Sequence, residues 1–212
     1  MFQQKGQGIS GSLRCAVIAI AAALSSTTVQ ASETTADTPT VEQVVQQLGL
    51  EAHVEGGFFR RTYAAEEQPR VSTAQGERYL MTSIYYLLTS QSPVGHFHRN
   101  RSDIVHYFHL GDPVTYYLLH EDGSLQTVVM GSDILAGQKL QLTVPGGVWK
   151  ASRLASGSHG YGLISEAVAP GFDYADMTLG KRDGLKATFP AHGELIGELT
   201  RNDAAADRPD SR

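Results

Sequence analysis

Gly95-His96-Phe97-His98-Arg99-Asn100-Arg101-Ser102-Asp103-Ile104-Val105-His106-Tyr107-Phe108-His109-Leu110-Gly111 is the stretch on which the fold turns. Apolar and polar residues alternate on either side of a polar break at 99–103, the pattern of two half-buried strands joined by a turn. Residues two apart on an extended strand share a face. His96 and His98 are therefore expected to point the same way, and His106 to share a face with Ile104 and Phe108. Ser102-Asp103 is a turn-forming pair.

The same rhythm runs outward in both directions. Short segments rich in β-branched and aromatic residues occupy 58–63, 81–88, 95–98, 104–110, 114–120, 125–130, 140–144, 149–154 and 161–169. Turn chemistry separates them: Gly111-Asp112-Pro113, Glu121-Asp122-Gly123 and Pro145-Gly146-Gly147. Many short strands at regular spacing predict an all-β sandwich or barrel. One short helix precedes them. Thr40 and Gln43 form a capping box, Val41, Val44, Val45 and Leu48 follow at helical spacing, and Gly49 suits the stop.

Composition sets the outer limits. The chain has 212 residues, 17 basic against 22 acidic side chains, and a net charge of −5, so a nucleic-acid backbone is not its main partner. A single Cys excludes an internal disulfide framework and a zinc ribbon. Residues 1–31 read as a signal peptide: Lys5 and Arg14 are the only charges, an apolar run covers 15–24, and Val29-Gln30-Ala31 is a cleavage site. The apolar run is too short to span a bilayer. Cleavage would discard the only thiol and leave a more acidic chain, periplasmic or secreted, with no membrane attachment. Residues 32–40 read as a linker, 41–200 as the folded domain and 201–212 as a disordered tail.

Chemistry concentrates near the histidines. His96, His98 and Asp103 are candidate ligands of a divalent metal with open positions. The same groups also suit proton transfer without a metal. There is no Gly-x-Ser-x-Gly elbow and no phosphate loop.

Several ordered motifs carry a resemblance. They are Glu55-Gly56-Gly57-Phe58-Phe59-Arg60, Ser83-Ile84-Tyr85-Tyr86-Leu87-Leu88, Phe97-His98-Arg99 with Ser102-Asp103, His106, and Gly111-Asp112-Pro113. Val144-Pro145-Gly146-Gly147-Val148-Trp149 and Val168-Ala169-Pro170-Gly171-Phe172-Asp173 complete the series. Over roughly three quarters of its length the chain resembles the cupin superfamily, specifically a cupin family of unknown function whose members are described as predicted sugar epimerases. The resemblance implies a double-stranded β-helix, or jelly-roll, and a homodimer. It also exposes departures. Metal-binding cupins carry a His-x-His, then a Glu, then a His after a Pro-x-Gly turn. Here the Glu position is Ile104 and the last His position is Lys150, which disfavours a divalent metal, so no cofactor is expected.

Two readings of function follow, and a third stays beside them. The first is a cofactor-independent sugar isomerase or epimerase. His98 would be the base, Asp103 would orient it, Tyr85 or Lys150 would donate to the enolate, and Arg60 would hold an anionic end. Glu55, His106, Trp149 and Lys150 would line the pocket. The second is non-catalytic capture of a small polar or anionic molecule in the same pocket. The third is a metal oxygenase using His96, His98 and Asp103.

Overall fold

The computed structural model describes residues 38–201. The expected signal peptide, most of the expected linker and all but the first residue of the expected tail lie outside the described residues. Helix α1 (Val41–Leu48) begins at the capping box. The Gln43 N–H donates to Thr40 Oγ1 at 3.3 Å, and the Thr40 N–H donates to Gln43 Oε1 at 2.8 Å. Gly49 ends the helix in the left-handed region, at φ 59°.

Strands β1 (Glu51–Ala52), β2 (Phe58–Ala64), β5 (Thr82–Thr89), β7 (Asp103–Gly111), β10 (Gln141–Val144) and β12 (Tyr161–Ala169) form one sheet, in the order β1-β2-β5-β12-β7-β10. Strands β6 (Val94–Asn100), β8 (Val114–Leu119), β9 (Leu125–Met130), β11 (Trp149–Leu154) and β13 (Met177–Leu179) form a second, in the order β13-β6-β11-β8-β9. A small hairpin, β3 (Val71–Thr73) with β4 (Gly76–Arg78), stands apart from both. The strands named in these sheets pair antiparallel throughout. The nine strand segments expected from sequence are all present, shifted by a few residues at their ends. This is the jelly-roll.

Alternation sorts the side chains into three apolar layers. Between the sheets lie Tyr86, Leu88, Phe108, Tyr116, Leu118, Met130, Leu142 and Ile164. Outside the six-stranded sheet, Leu87, Tyr161 and Leu163 pack under Val44 and Leu50 of the α1 region. Outside the five-stranded sheet, Phe97, Leu119 and Ala151 pack under Leu185, Phe189, Ile196 and Leu199. The last four come from α2 (Arg182–Thr188), α3 (Gly193–Glu198) and the residues beside them. These two helices add to the single N-terminal helix expected from sequence.

Candidate functional site

One end of the space between the sheets is apolar and filled; the other holds a cavity of about 40 Å³. Inward residues of four elements line it: Phe59 and Arg61 of β2, Thr82 and Ile84 of β5, Asn100 of β6, and Glu166 and Val168 of β12. His53 and Glu55, from the bend between β1 and β2, and Phe172 and Tyr174 complete the wall. The last two sit on a turn held by the buried pair Arg78–Asp176, with Arg78 Nε 2.5 Å from Asp176 Oδ2. Glu55 is tied in place by its own backbone, since its carbonyl accepts from the His96 N–H at 2.7 Å.

Glu55 and His98 form a buried pair. His98 Nε2 lies 3.2 Å from Glu55 Oε2, and both side chains are more than nine-tenths buried. The His98 Nδ1–H donates to the His96 carbonyl at 2.8 Å, which leaves Nε2 as a lone pair. Without a proton on Glu55, Nε2 has no hydrogen-bond donor among the described residues. Burial supplies that proton: it pushes the Glu55 carboxyl up to about 8. Burial, helped by the charge of Lys150, holds the His98 ring well below its ordinary value. At neutral pH the pair is a neutral acid donating to a neutral imidazole.

Glu166 has the opposite state. Burial alone would raise its pKa, but the Lys150 ammonium and then His106 outweigh it and hold the carboxylate well below the usual range. Lys150 Nζ stands 3.6 Å from Glu166 Oε1 and 3.3 Å from His106 Nε2. His106 Nδ1 stands 3.2 Å from both Glu166 Oε1 and the Tyr116 hydroxyl. One tautomer satisfies all these contacts: His106 neutral, its Nε2 accepting from Lys150 and its Nδ1–H directed at Glu166 and Tyr116. Burial and the lysine charge keep that ring neutral.

The structure redistributes the residues expected at the site. His98, His106, Lys150 and Glu55 are all buried inside the jelly-roll. Tyr85 is not. It lies on the outer face beside His109, under α1, while Tyr86 points inward and donates to the Gly56 carbonyl at 2.8 Å. Arg60 shares the outer face with Tyr85, its register partner, and Arg61 takes the place at the cavity. Trp149 packs outside the five-stranded sheet with Arg99 4.7 Å from its ring, so it fills core and does not line the pocket. Asp103 does not orient an imidazole: its Oδ1 accepts from the Gly146 N–H at 2.8 Å and clasps a loop.

His96 and His98 do not share a face. Opposite β11, Lys150 pairs with His98 but Ser152 pairs with Gly95, so two residues of β6 face the single Ala151. This β-bulge breaks the alternation. His98 meets Glu55 and Lys150, whereas burial and the charges of Arg201 and Arg182 set the His96 environment.

Three cavity-lining positions escaped the sequence reading. Glu166 carried a usable signal: a lone acid in phase with the inward Ile164 and Val168 of β12. His53 is buried with its ring 4.5 Å from that of Phe59. Asn100 faces inward two residues beyond His98.

The donor set of a metal-binding cupin does not fit these residues. Ile104 is buried and cannot ligate, Asp103 is committed to Gly146, and His96 is turned from His98 by the bulge. An ammonium fills the space between His106 and Glu166. Among the described residues no group of three or more His, Cys, Asp or Glu is placed to hold a metal ion. The His96, His98 and Asp103 set expected for an oxygenase is thus dispersed.

Comparison with known proteins agrees with this architecture. Residues 42–180 match the family described as Cupin superfamily (DUF985). The uncharacterized protein YML079W of Saccharomyces cerevisiae is 38% identical over 159 residues, which is 69% of this chain and 78% of that protein. A hypothetical protein from Leishmania major superposes with a TM-score of 0.72 at 31% identity, over 77% of this chain and 100% of that one. Protein SO0799 from Shewanella oneidensis does so with a TM-score of 0.70 at 36% identity, over 78% and 99%. With a fold, an ordered motif series and a family match in agreement, this chain belongs to the cupin superfamily.

Proposed function

We propose that the protein is a small-molecule cupin that moves a proton on the carbon beside a carbonyl, as an isomerase or epimerase of sugar-like compounds does. The observation that carries the reading is the pair of carboxyls on one cavity, Glu55 and Glu166, held in opposite protonation states by different buried partners. Environments that push two acids apart separate an acid from a base. Glu55 donates its proton to the substrate carbonyl oxygen while the Glu166 carboxylate takes the proton from the adjacent carbon, giving an enol. Return of a proton to carbon and recovery of the Glu55 proton restore both groups. The acid is therefore Glu55 and the base Glu166, with His98 and His106 behind them as positioning residues.

A cavity of about 40 Å³ admits only the reacting end of a substrate. The remainder would lie at the mouth against Phe172, Tyr174 and Arg61, and the guanidinium suits an anionic group there. Export would place the reaction in the periplasm or outside the cell, where free sugars and sugar acids are the substrates at hand. A homodimer is the working assembly.

The test is incubation with a panel of hydroxyaldehydes, keto-sugars and sugar acids in D2O, read by NMR. Deuterium should enter at the carbon beside the carbonyl of at least one compound, and E55Q and E166Q should each lower the rate by about a hundredfold or more. The rate should fall as pH rises past about 8, where Glu55 loses its proton. Absence of exchange across the panel, or exchange unaffected by both substitutions, overturns the reading.

A further inference from the structure

The His106–Lys150–Glu166 cluster spans the interior. Lys150 comes from β11 of the five-stranded sheet, while His106 and Glu166 come from adjacent β7 and β12 of the six-stranded sheet, where they are register partners. The lysine therefore reaches across the barrel to join the two sheets. Its ammonium contacts an imidazole nitrogen at 3.3 Å and a carboxylate oxygen at 3.6 Å, and its side chain is 3% exposed. Those two donor types would hold a divalent ion in a cupin whose last motif position were His instead of Lys.

We propose that Lys150 is an internal cation standing where a metal ion would otherwise sit, neutralising Glu166 and fixing His106 as a hydrogen-bond acceptor. The argument is one of charge and geometry. An isolated buried carboxylate is costly unless a positive group meets it. Among the described residues, the ionisable groups around Lys150 include His106 on β7, Glu166 on β12, His98 on β6, Tyr116 on β8, and Glu55 and His53 on the bend after β1. His98 and His106 are neutral in the tautomers derived above, so Lys150 supplies the positive charge in contact with Glu166. A divalent ion added beside it would be repelled. The inference stands independently of the proton-transfer reading, because it concerns what holds Glu166 charged and not what Glu166 does.

Three variants test it without a substrate. K150M keeps the length of the stem and removes the charge; it should shift the folding equilibrium toward the unfolded state by about a hundredfold or more, because it strands Glu166. K150M/E166Q should recover at least about tenfold of that loss. K150H should retain close to one zinc ion per chain after loading and dialysis, whereas the wild type treated identically should retain none. K150M as stable as the wild type, or a double variant no more stable than K150M, overturns the neutralising role. Stoichiometric zinc on the wild type, or none on a folded K150H, overturns the placement. Should K150H fail to fold, the K150M pair and the wild-type zinc measurement decide the matter alone.

Discussion

A hydroxyl that donates to a carbonyl inside a barrel has no water in reserve. Tyr86 is 4% exposed and its hydroxyl donates to the Gly56 carbonyl, next to Glu55. Y86F removes the donor and leaves the carbonyl unsatisfied, which should cost about 1–3 kcal/mol in urea unfolding. Y85F should stay within about 0.5 kcal/mol of the wild type, because the neighbouring tyrosine packs on the outer face and its hydroxyl makes no hydrogen bond among the described residues. Equal losses in the two variants would contradict the assignment of inner and outer faces. The same two-residue logic separates Arg60 from Arg61 and explains why sequence alone could not choose: alternation gives the phase, but nothing in Tyr85-Tyr86 or Arg60-Arg61 says which member is inward. Glu166 was within reach, since its strand mates Ile164 and Val168 fix the phase.

At the scale of elements, the strands and α1 were legible because each carries its own local signal: a period of two, a turn pair, a capping box. The bulge in β6 was not, because its cause is remote in sequence. The His96 N–H donates to the Glu55 carbonyl, the Phe97 N–H donates to the Leu199 carbonyl at 2.8 Å, and the Phe97 carbonyl accepts from Gly180 at 2.7 Å. Partners outside the sheet therefore satisfy the extra residue, and with that offset His98 faces Glu55. Helices α2 and α3 were equally silent, being six or seven residues long and recognisable only by the layer they cover. Ile196 is fully buried in that layer with Phe97 and Leu119. I196A should cost roughly 2–5 kcal/mol in urea unfolding. A loss below about 0.5 kcal/mol would show that α3 does not contribute to the layer in solution.

For the whole molecule, the buried ionisable groups set a stability optimum whose position follows from their signs. His53 is lowered to about 4, and His96, His98 and His106 are also lowered, chiefly by burial. Each binds a proton more readily when unfolded, so stability is lost as pH falls below the ordinary imidazole value of 6.5. Glu166, also lowered, adds to that acid-side loss below the ordinary carboxyl value of 4.5. Glu55 works in the other direction: raised from 4.5 to about 8, it holds its proton more tightly when folded, so its contribution is lost as pH climbs through that window. At pH 6.5 each unfolded imidazole is still half protonated, so the four outweigh the single carboxyl up to about pH 7, and the carboxyl slope takes over above it. The optimum should therefore lie at about pH 7, with the two opposing slopes nearly cancelling between pH 6.5 and 8 and a decline only as Glu55 ionises beyond that. E55Q can still donate a hydrogen bond to His98 Nε2 but has no proton to lose, so its stability should rise more steeply than the wild type's between pH 4.5 and 6.5 and should keep rising from pH 6.5 to 8 where the wild type is nearly level. Urea unfolding at pH 5, 6.5 and 8 on both proteins measures this. Profiles of equal slope in the two would mean that Glu55 is already ionised in the folded protein, and the neutral acid facing the cavity would be lost with it.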